Sequence, residues 1–355
     1  MRHFPSSVRI AALLALTTLP FAAMGQSQGV CSSQGYSDSK SCVLGTSGSG
    51  FRAATLTPST QAPALAISAA LSGGSGSGAP GAQRTSLDGN GDTGQAAAAA
   101  SPRWNAWAAL GQNSVGYDFV PAKSSGRVNL FLGGIDYTFS NNVIAGISYT
   151  DDTTRIGTQF DNGTLNGSGY AIAPYVAVPF GRNWVFDASV GWGRNKLSQI
   201  DRSAAVAVTG NTVDNRFFSS LALSYAVQVG KLQWTGKGMY LFSEDKVSQF
   251  TQSNNTVVPS TTTRVTQLRL GGQIAHDAGG VVPYAGLTYI YDLQSPVQPV
   301  TAGVSPANDR DAWQLALGVN FYSKGALSGG VQYSQDTSRK EVKNNLLMAS
   351  IAYKF

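Results

Sequence analysis

From Lys343 to Phe355 the chain places apolar side chains at every second position. Leu347, Ala349, Ile351, Tyr353 and Phe355 fall on one face of an extended strand, and Met348, Ser350, Ala352 and Lys354 on the other. The apolar face runs to an aromatic last residue, where a soluble domain ordinarily frays into polar sequence. That terminus must be held. A strand with such a face needs neighbours, and in a bilayer it needs a closed ring of them, because no water is present to satisfy an open edge.

The rest of the chain supplies a ring. From Trp104 onward, twelve alternating segments fall at about 103–112, 126–139, 142–151, 168–178, 183–196, 214–229, 231–243, 263–275, 281–292, 311–322, 326–334 and 342–355. The sixth sets Phe217, Leu221, Leu223 and Tyr225 against Phe218, Ser220, Ala222 and Ser224. The fifth sets Trp184, Phe186, Val190 and Trp192 against Asp187, Ser189 and Asn195. Lipid outside and a polar lumen inside fit both. The connections give an independent sign: those after odd segments are long (Asp152 to Gly167, Leu197 to Val213, Glu244 to Thr262), and those after even segments are short (Ser140-Asn141, Gly230). Such alternation belongs to an up-and-down barrel with tight periplasmic turns. Trp104, Trp184, Trp192, Tyr240, Phe242, Trp313 and Tyr322 sit near segment ends, where they would form interfacial girdles.

Composition narrows the class further. Only 12% of residues are charged and 41 of 355 are glycine, which suits small lumen residues in place of a packed core. The net charge of +6 is scattered, with no basic run to bind nucleic acid. Arg2 and Arg9 precede an apolar run from Ile10 to Leu19, then Pro20 and Ala23-Met24-Gly25. Residues 1–25 are thus expected to be a cleaved signal peptide leading to the periplasm. No later stretch reaches about 18 uninterrupted apolar residues, so any membrane span must be β. Cys31 and Cys42 are expected to form a disulfide in an oxidising periplasm.

Residues 26–102 form a short low-complexity passenger or linker, with runs such as Ser72-Gly73-Gly74-Ser75-Gly76-Ser77-Gly78. Most of it is expected to be disordered, being too poor in apolar side chains to offset its chain entropy. Two stretches differ, Ala62 to Leu71 and Gln95 to Ala100. Each can be a short helix if a cavity shelters it. Asp88-Gly89-Asn90-Gly91-Asp92 opens like a calcium loop but continues with Thr93 and reaches Ala99 where a glutamate is needed, which favours a plain turn.

The opening Trp104-x-x-Trp107, Pro174-Tyr175, Pro283-Tyr284-Ala285-Gly286-Leu287-x-Tyr289 and the terminal Tyr353-x-Phe355 resemble the C-terminal translocator domain of autotransporters, the type V secretion family of Gram-negative bacteria. The resemblance covers about Trp104 to Phe355. It implies an all-β fold, a twelve-stranded antiparallel up-and-down transmembrane β-barrel (103–355) in the outer membrane. It further implies contact with membrane lipid and lipopolysaccharide, assembly by periplasmic chaperones and the barrel-assembly machinery, and an assembly signal at Ile351, Tyr353 and Phe355. The chain departs from the family in its passenger, which is too short for a stacked solenoid. No Asn-Asn pair precedes Trp104, so self-cleavage is not expected.

Twelve strands tilted by about 40° give a backbone radius of roughly 12 Å, which leaves room for one helix. Gln95 to Ala100, directly upstream of the first strand, is the expected plug. Asp187, Ser189, Ser220, Lys237 and Arg269 are expected to line the lumen. Two functions compete: a monomeric translocator that anchors and exports its own N-terminal segment, and a narrow pore or structural barrel that exports nothing. An outer-membrane hydrolase has no support, because beyond the signal peptide the only histidine is His276, beside Asp277 in a short turn. No catalytic residue, cofactor or metal is assigned.

Overall fold

The computed structural model describes residues 57–72, 103–119, 123–140, 142–159, 161–203, 205–294, 309–323 and 326–355, with helix side chains described for 60–68. Residues 1–25, where a signal peptide is expected, and Cys31, Cys42, Asp88 to Asp92 and Gln95 to Ala100 lie outside the described residues. Among the described residues one helix, α1 (Thr57–Ser72), precedes fourteen strands: β1 (Trp104–Tyr117), β2 (Ser124–Thr138), β3 (Ile144–Thr158), β4 (Gly163–Phe180), β5 (Trp184–Asp201), β6 (Val208–Val229), β7 (Leu232–Val247), β8 (Phe250–Thr251), β9 (Val257–Val258), β10 (Thr261–His276), β11 (Val281–Gln294), β12 (Asp311–Tyr322), β13 (Leu327–Thr337) and β14 (Val342–Lys354).

Every barrel strand pairs antiparallel with its chain neighbours, and β14 returns to pair with β1, closing twelve strands into a barrel; β8 and β9 form a separate hairpin. The seam between β1 and β14 is continuous from Asn105↔Lys354 to Tyr117↔Val342. At its end Phe355 donates its N–H to the Trp104 carbonyl (2.9 Å) and accepts from the Trp104 N–H (3.1 Å). The terminal residue is therefore held by backbone bonds and leaves no open edge.

Burial alternates along the strands as the sequence pattern requires. On β5, Trp184, Phe186, Val190 and Trp192 are exposed, whereas Val185, Asp187, Ser189 and Asn195 are buried. Leu110, Phe131, Ile147, Tyr170, Leu315, Leu317 and Ile351 extend the outward apolar surface around the barrel. An outer wall of this kind suits lipid and would be costly in water. Aromatic clusters border it. Near the short turns, Phe180 stacks on Trp184 (6.3 Å), Trp184 meets Tyr225 (4.8 Å), and Trp104 meets Tyr137 (5.0 Å). Toward the long loops, Phe217 meets Phe242 (6.0 Å) and Tyr289 meets Trp313 (5.1 Å). Trp184 and Trp192, eight residues apart on one strand, span about 20 Å of height at the usual tilt.

Three expectations change. β3 continues to Thr158 and β4 begins at Gly163, so most of the loop expected over Asp152 to Gly167 is paired strand. β5 and β6 likewise extend to Asp201 and from Val208, through the loop expected over Leu197 to Val213. Above the lipid the outer face becomes polar, as at Asp151, Thr153 and Arg155, while Val115, Ile156, Leu165, Leu197 and Val247 form a small apolar cluster inside; the lipid-facing alternation ends and the backbone pairing continues. Tyr322 packs with Ala275, Val282 and Tyr284 on the inner side and takes no part in the girdle.

Candidate functional site in the barrel lumen

The helix α1 lies inside the barrel. Its residues Ala62, Ala64, Ala66 and Ile67 are buried in one cluster with Trp107, Leu130, Leu132, Ala171, Ala173, Phe218 and Leu241 of the wall. Alanines on both surfaces allow helix and wall to approach closely. Pro58 suits a helix start, but Pro63 removes an internal hydrogen bond at a cost of about 3 kcal/mol, so the segment depends on its enclosure. Of the two stretches singled out as sheltered helices, Ala62 to Leu71 is the one that forms in the described structure.

Polar contacts at both ends fix the helix. Thr60 Oγ1 donates to Asp245 Oδ1 (2.5 Å) and Gln61 Nε2 to Ser243 Oγ (3.2 Å). Ser68 Oγ donates to Asp187 Oδ1, and Lys237 Nζ donates to the Ser68 carbonyl (2.8 Å). Asp245 and Ser243 lie near the long-loop end of β7, whereas Asp187 and Lys237 lie near the short-turn ends of β5 and β7. The helix N-terminus thus points to the long-loop end, with about 12 Å of rise between Thr60 and Ser68.

Asp245 belongs to a buried charge cluster. The Arg216 guanidinium forks onto Asp152, with Nη1 at 2.5 Å and Nη2 at 3.3 Å from its two oxygens, while its Nε lies 3.4 Å from Asp214 and 4.0 Å from Asp245. One cation thus faces three carboxylates. The helix N-terminus, with its positive dipole end and the Thr60 hydroxyl, faces the same cluster. Among the described residues no set of three His, Cys, Asp or Glu side chains is arranged to hold a metal; these three aspartates are directed at Arg216.

The opposite wall is built differently. Arg269 donates to Gln267 Oε1 (3.2 Å) and Gln314 Oε1 (2.9 Å), Gln314 donates to Asp336 (2.8 Å), and Arg339 pairs with Asp292 (3.0 Å). Tyr284 donates to Gln332 (2.7 Å). Inward aromatics lie flat over glycines of the adjacent strand. A Cβ on Gly191 would stand 2.2 Å from the Phe218 ring, and one on Gly318 would stand 2.4 Å from that of Tyr284.

The five lumen candidates all lie on the inner side. Asp187 and Lys237 meet at Ser68, Ser189 and Ser220 hydrogen-bond each other (2.7 Å), and Arg269, on the strand paired with β7, turns to Gln267 and Gln314. Ile351 and Tyr353 face outward, paired with Ala108 and Ala106 of β1. Asp277 accepts the Gly279 N–H (2.9 Å) within its turn beside exposed His276. Thr60, Asp152, Asp214, Arg216 and Asp245 were not singled out from sequence. Asp152 and Asp245 fall in stretches that read as loops, Asp214 and Arg216 at the start of the sixth segment before its apolar alternation begins, and Thr60 just ahead of the sheltered stretch, so none carries a periodic sign of facing inward.

A family model, the Autotransporter beta-domain, matches residues 111–334, more than half of the chain. No curated protein sequence matches significantly. Among solved structures, the translocator domain of the autotransporter NalP from Neisseria meningitidis superposes with a TM-score of 0.62 at 15% identity, over 71% of this chain and 89% of that one. The beta domain of the Bordetella autotransporter BrkA gives 0.61 at 16% identity, over 71% and 100%. The transport unit of AIDA-I from Escherichia coli gives 0.52 at 11% identity, over 76% and 95%. With a closed twelve-stranded barrel, a lipid-facing outer wall and this family match together, the chain belongs to the autotransporter β-domain family of outer-membrane barrels.

Proposed function

We propose that the barrel anchors and exports its own N-terminal segment, with Thr57–Ser72 remaining in the lumen as the plug. The direction of α1 carries this reading. Short turns of outer-membrane barrels lie in the periplasm and long loops outside. Thr60 sits toward the long-loop end and Ser68 toward the short-turn end, where β1 begins at Trp104, a direction that suits export of the segment before Thr57 to the cell surface. The plug assigned to Gln95 to Ala100 from sequence is thereby moved to the earlier helix. The chain closes its own sheet and acts as a monomer. Lipopolysaccharide surrounds it in the outer leaflet, and Ile351, Tyr353 and Phe355 serve as the signal for the assembly machinery and its periplasmic chaperones. No catalytic step is required.

Planar-bilayer conductance tests the plug. The full chain should conduct weakly and a chain starting at Ser101 strongly. Equal conductance would remove the plug and favour a plain pore.

A further inference from the structure

On the outer wall, rows of directly paired residues change character toward the long loops. Gly133, Tyr149, Ile172, Trp192 and Phe217 form one row across β2 to β6 and face lipid. Six residues farther along β3, the row is Ser114, Arg127, Arg155 and Asn166. Arg127 and Arg155 are direct partners on adjacent strands, and both are exposed. Side chains so paired start only about 5 Å apart, and two like charges there repel.

Nothing among the described residues offsets this pair. Among the described residues no ion pair joins either guanidinium to a carboxylate, and the only outward carboxylate on β2 or β3, Asp151, lies four residues and about 13 Å down β3 from Arg155. The contrast is Arg264, another outward arginine near a long loop, whose Nε lies 2.5 Å from Glu244. Arg127 stands four residues above the exposed Phe131, roughly 10 Å higher at the usual tilt. From there the aliphatic stems can lie toward the apolar band and hold the charged heads at headgroup depth.

We propose that Arg127 and Arg155 form a binding site for the phosphorylated sugar headgroup of an outer-leaflet glycolipid, flanked by Ser114 and Asn166, with the acyl chains lying against Phe131 and Tyr149. Guanidinium forks match phosphate oxygens two at a time, and an anion between them turns a repulsive pair into a clamp. The site rests on the reading that the long-loop end faces outward.

The full chain in neutral detergent is titrated with diphosphorylated lipid A, with its monophosphoryl form and with inorganic phosphate, and bound lipid is counted by native mass spectrometry. Wild type should retain the diphosphorylated lipid, the double variant Arg127→Gln, Arg155→Gln should hold it about tenfold more weakly, and Arg264→Gln should behave as wild type. Arg127→Lys with Arg155→Lys, which keeps the charge and loses the fork, should fall between. The monophosphoryl lipid should bind more weakly than the diphosphorylated one, and excess phosphate should not displace it. Equal retention by wild type and both double variants, or complete displacement by phosphate, would overturn the proposal. Neither arginine touches α1, so failure here leaves the translocator reading in place.

Discussion

The two halves of the lumen satisfy buried polar groups in different ways. Across β2 to β7 the wall needs the helix: Asp245 and Ser243 accept from Thr60 and Gln61, Asp187 accepts from Ser68, and Lys237 donates to the Ser68 carbonyl. Across β10 to β14 Arg269, Gln314, Asp336, Arg339 and Asp292 pair among neighbouring strands, and none of these contacts involves the helix. Buried polar atoms are costly when left without partners, so seating α1 supplies partners to the first half and none to these pairs of the second. The plug is therefore held against one wall.

The largest break in this comparison should come from the charges. Arg216→Met leaves Asp152, Asp214 and Asp245 buried together and should cost about 3–5 kcal/mol. Arg269→Met removes a cation whose partners include two neutral amides, and should cost about 1–3 kcal/mol. The temperature at which each variant loses fast migration on an unboiled gel measures the difference, and equal losses would erase the distinction between the walls.

A second, smaller test uses the glycines. Gly191→Ala displaces Phe218 toward the helix, while Gly318→Ala displaces Tyr284 from Gln332; each should cost about 1–3 kcal/mol. Only the first should raise the conductance of the full chain, because only Phe218 shares a cluster with α1.

How much of this was legible follows from where hydrophobicity alternates. Residues facing lipid, such as Trp184, Trp192 and Leu221, showed a period of two, and the strand count and closure followed from them. The terminal pairing of Phe355 with Trp104 was legible as the need to hold an apolar end. Strand extensions such as Asp152 to Thr158 were not, because water lies outside and the inner face mixes Asp152 and Thr154 with the single apolar Ile156, so no apolar run of period two marks them. The helix seated in the lumen was legible only as a stretch that a cavity could shelter. Nearness to β1 favours Gln95 to Ala100, which lies outside the described residues, whereas the seated helix is set by spacing Thr60 and Ser68 to reach Asp245 and Asp187, a match between distant segments that has no local signature.

The smallest effect expected is at the outer end of the seam. The Lys343 ammonium, with Lys123 nearby, holds the Asp118 carboxyl below the usual carboxylate range, next to the Asp118 N–H bond to the Glu341 carbonyl (2.8 Å). A depressed folded-state pKa contributes stability above the ordinary carboxylate value, about 4, that is lost as pH falls through the lower folded value. The protection of the Asp118 amide against exchange, taken relative to its intrinsic rate at each pH, should therefore fall modestly on acidification below about pH 4. In Asp118→Asn this acid response should be absent.

The account stands or falls on the direction of α1. An epitope placed near Lys40 in the full chain, probed by protease on intact cells whose barrel remains heat-modifiable, reports it directly. The account predicts that the epitope is cleaved on intact cells. An epitope that is cleaved only after the outer membrane is permeabilised would place the upstream segment in the periplasm and contradict it.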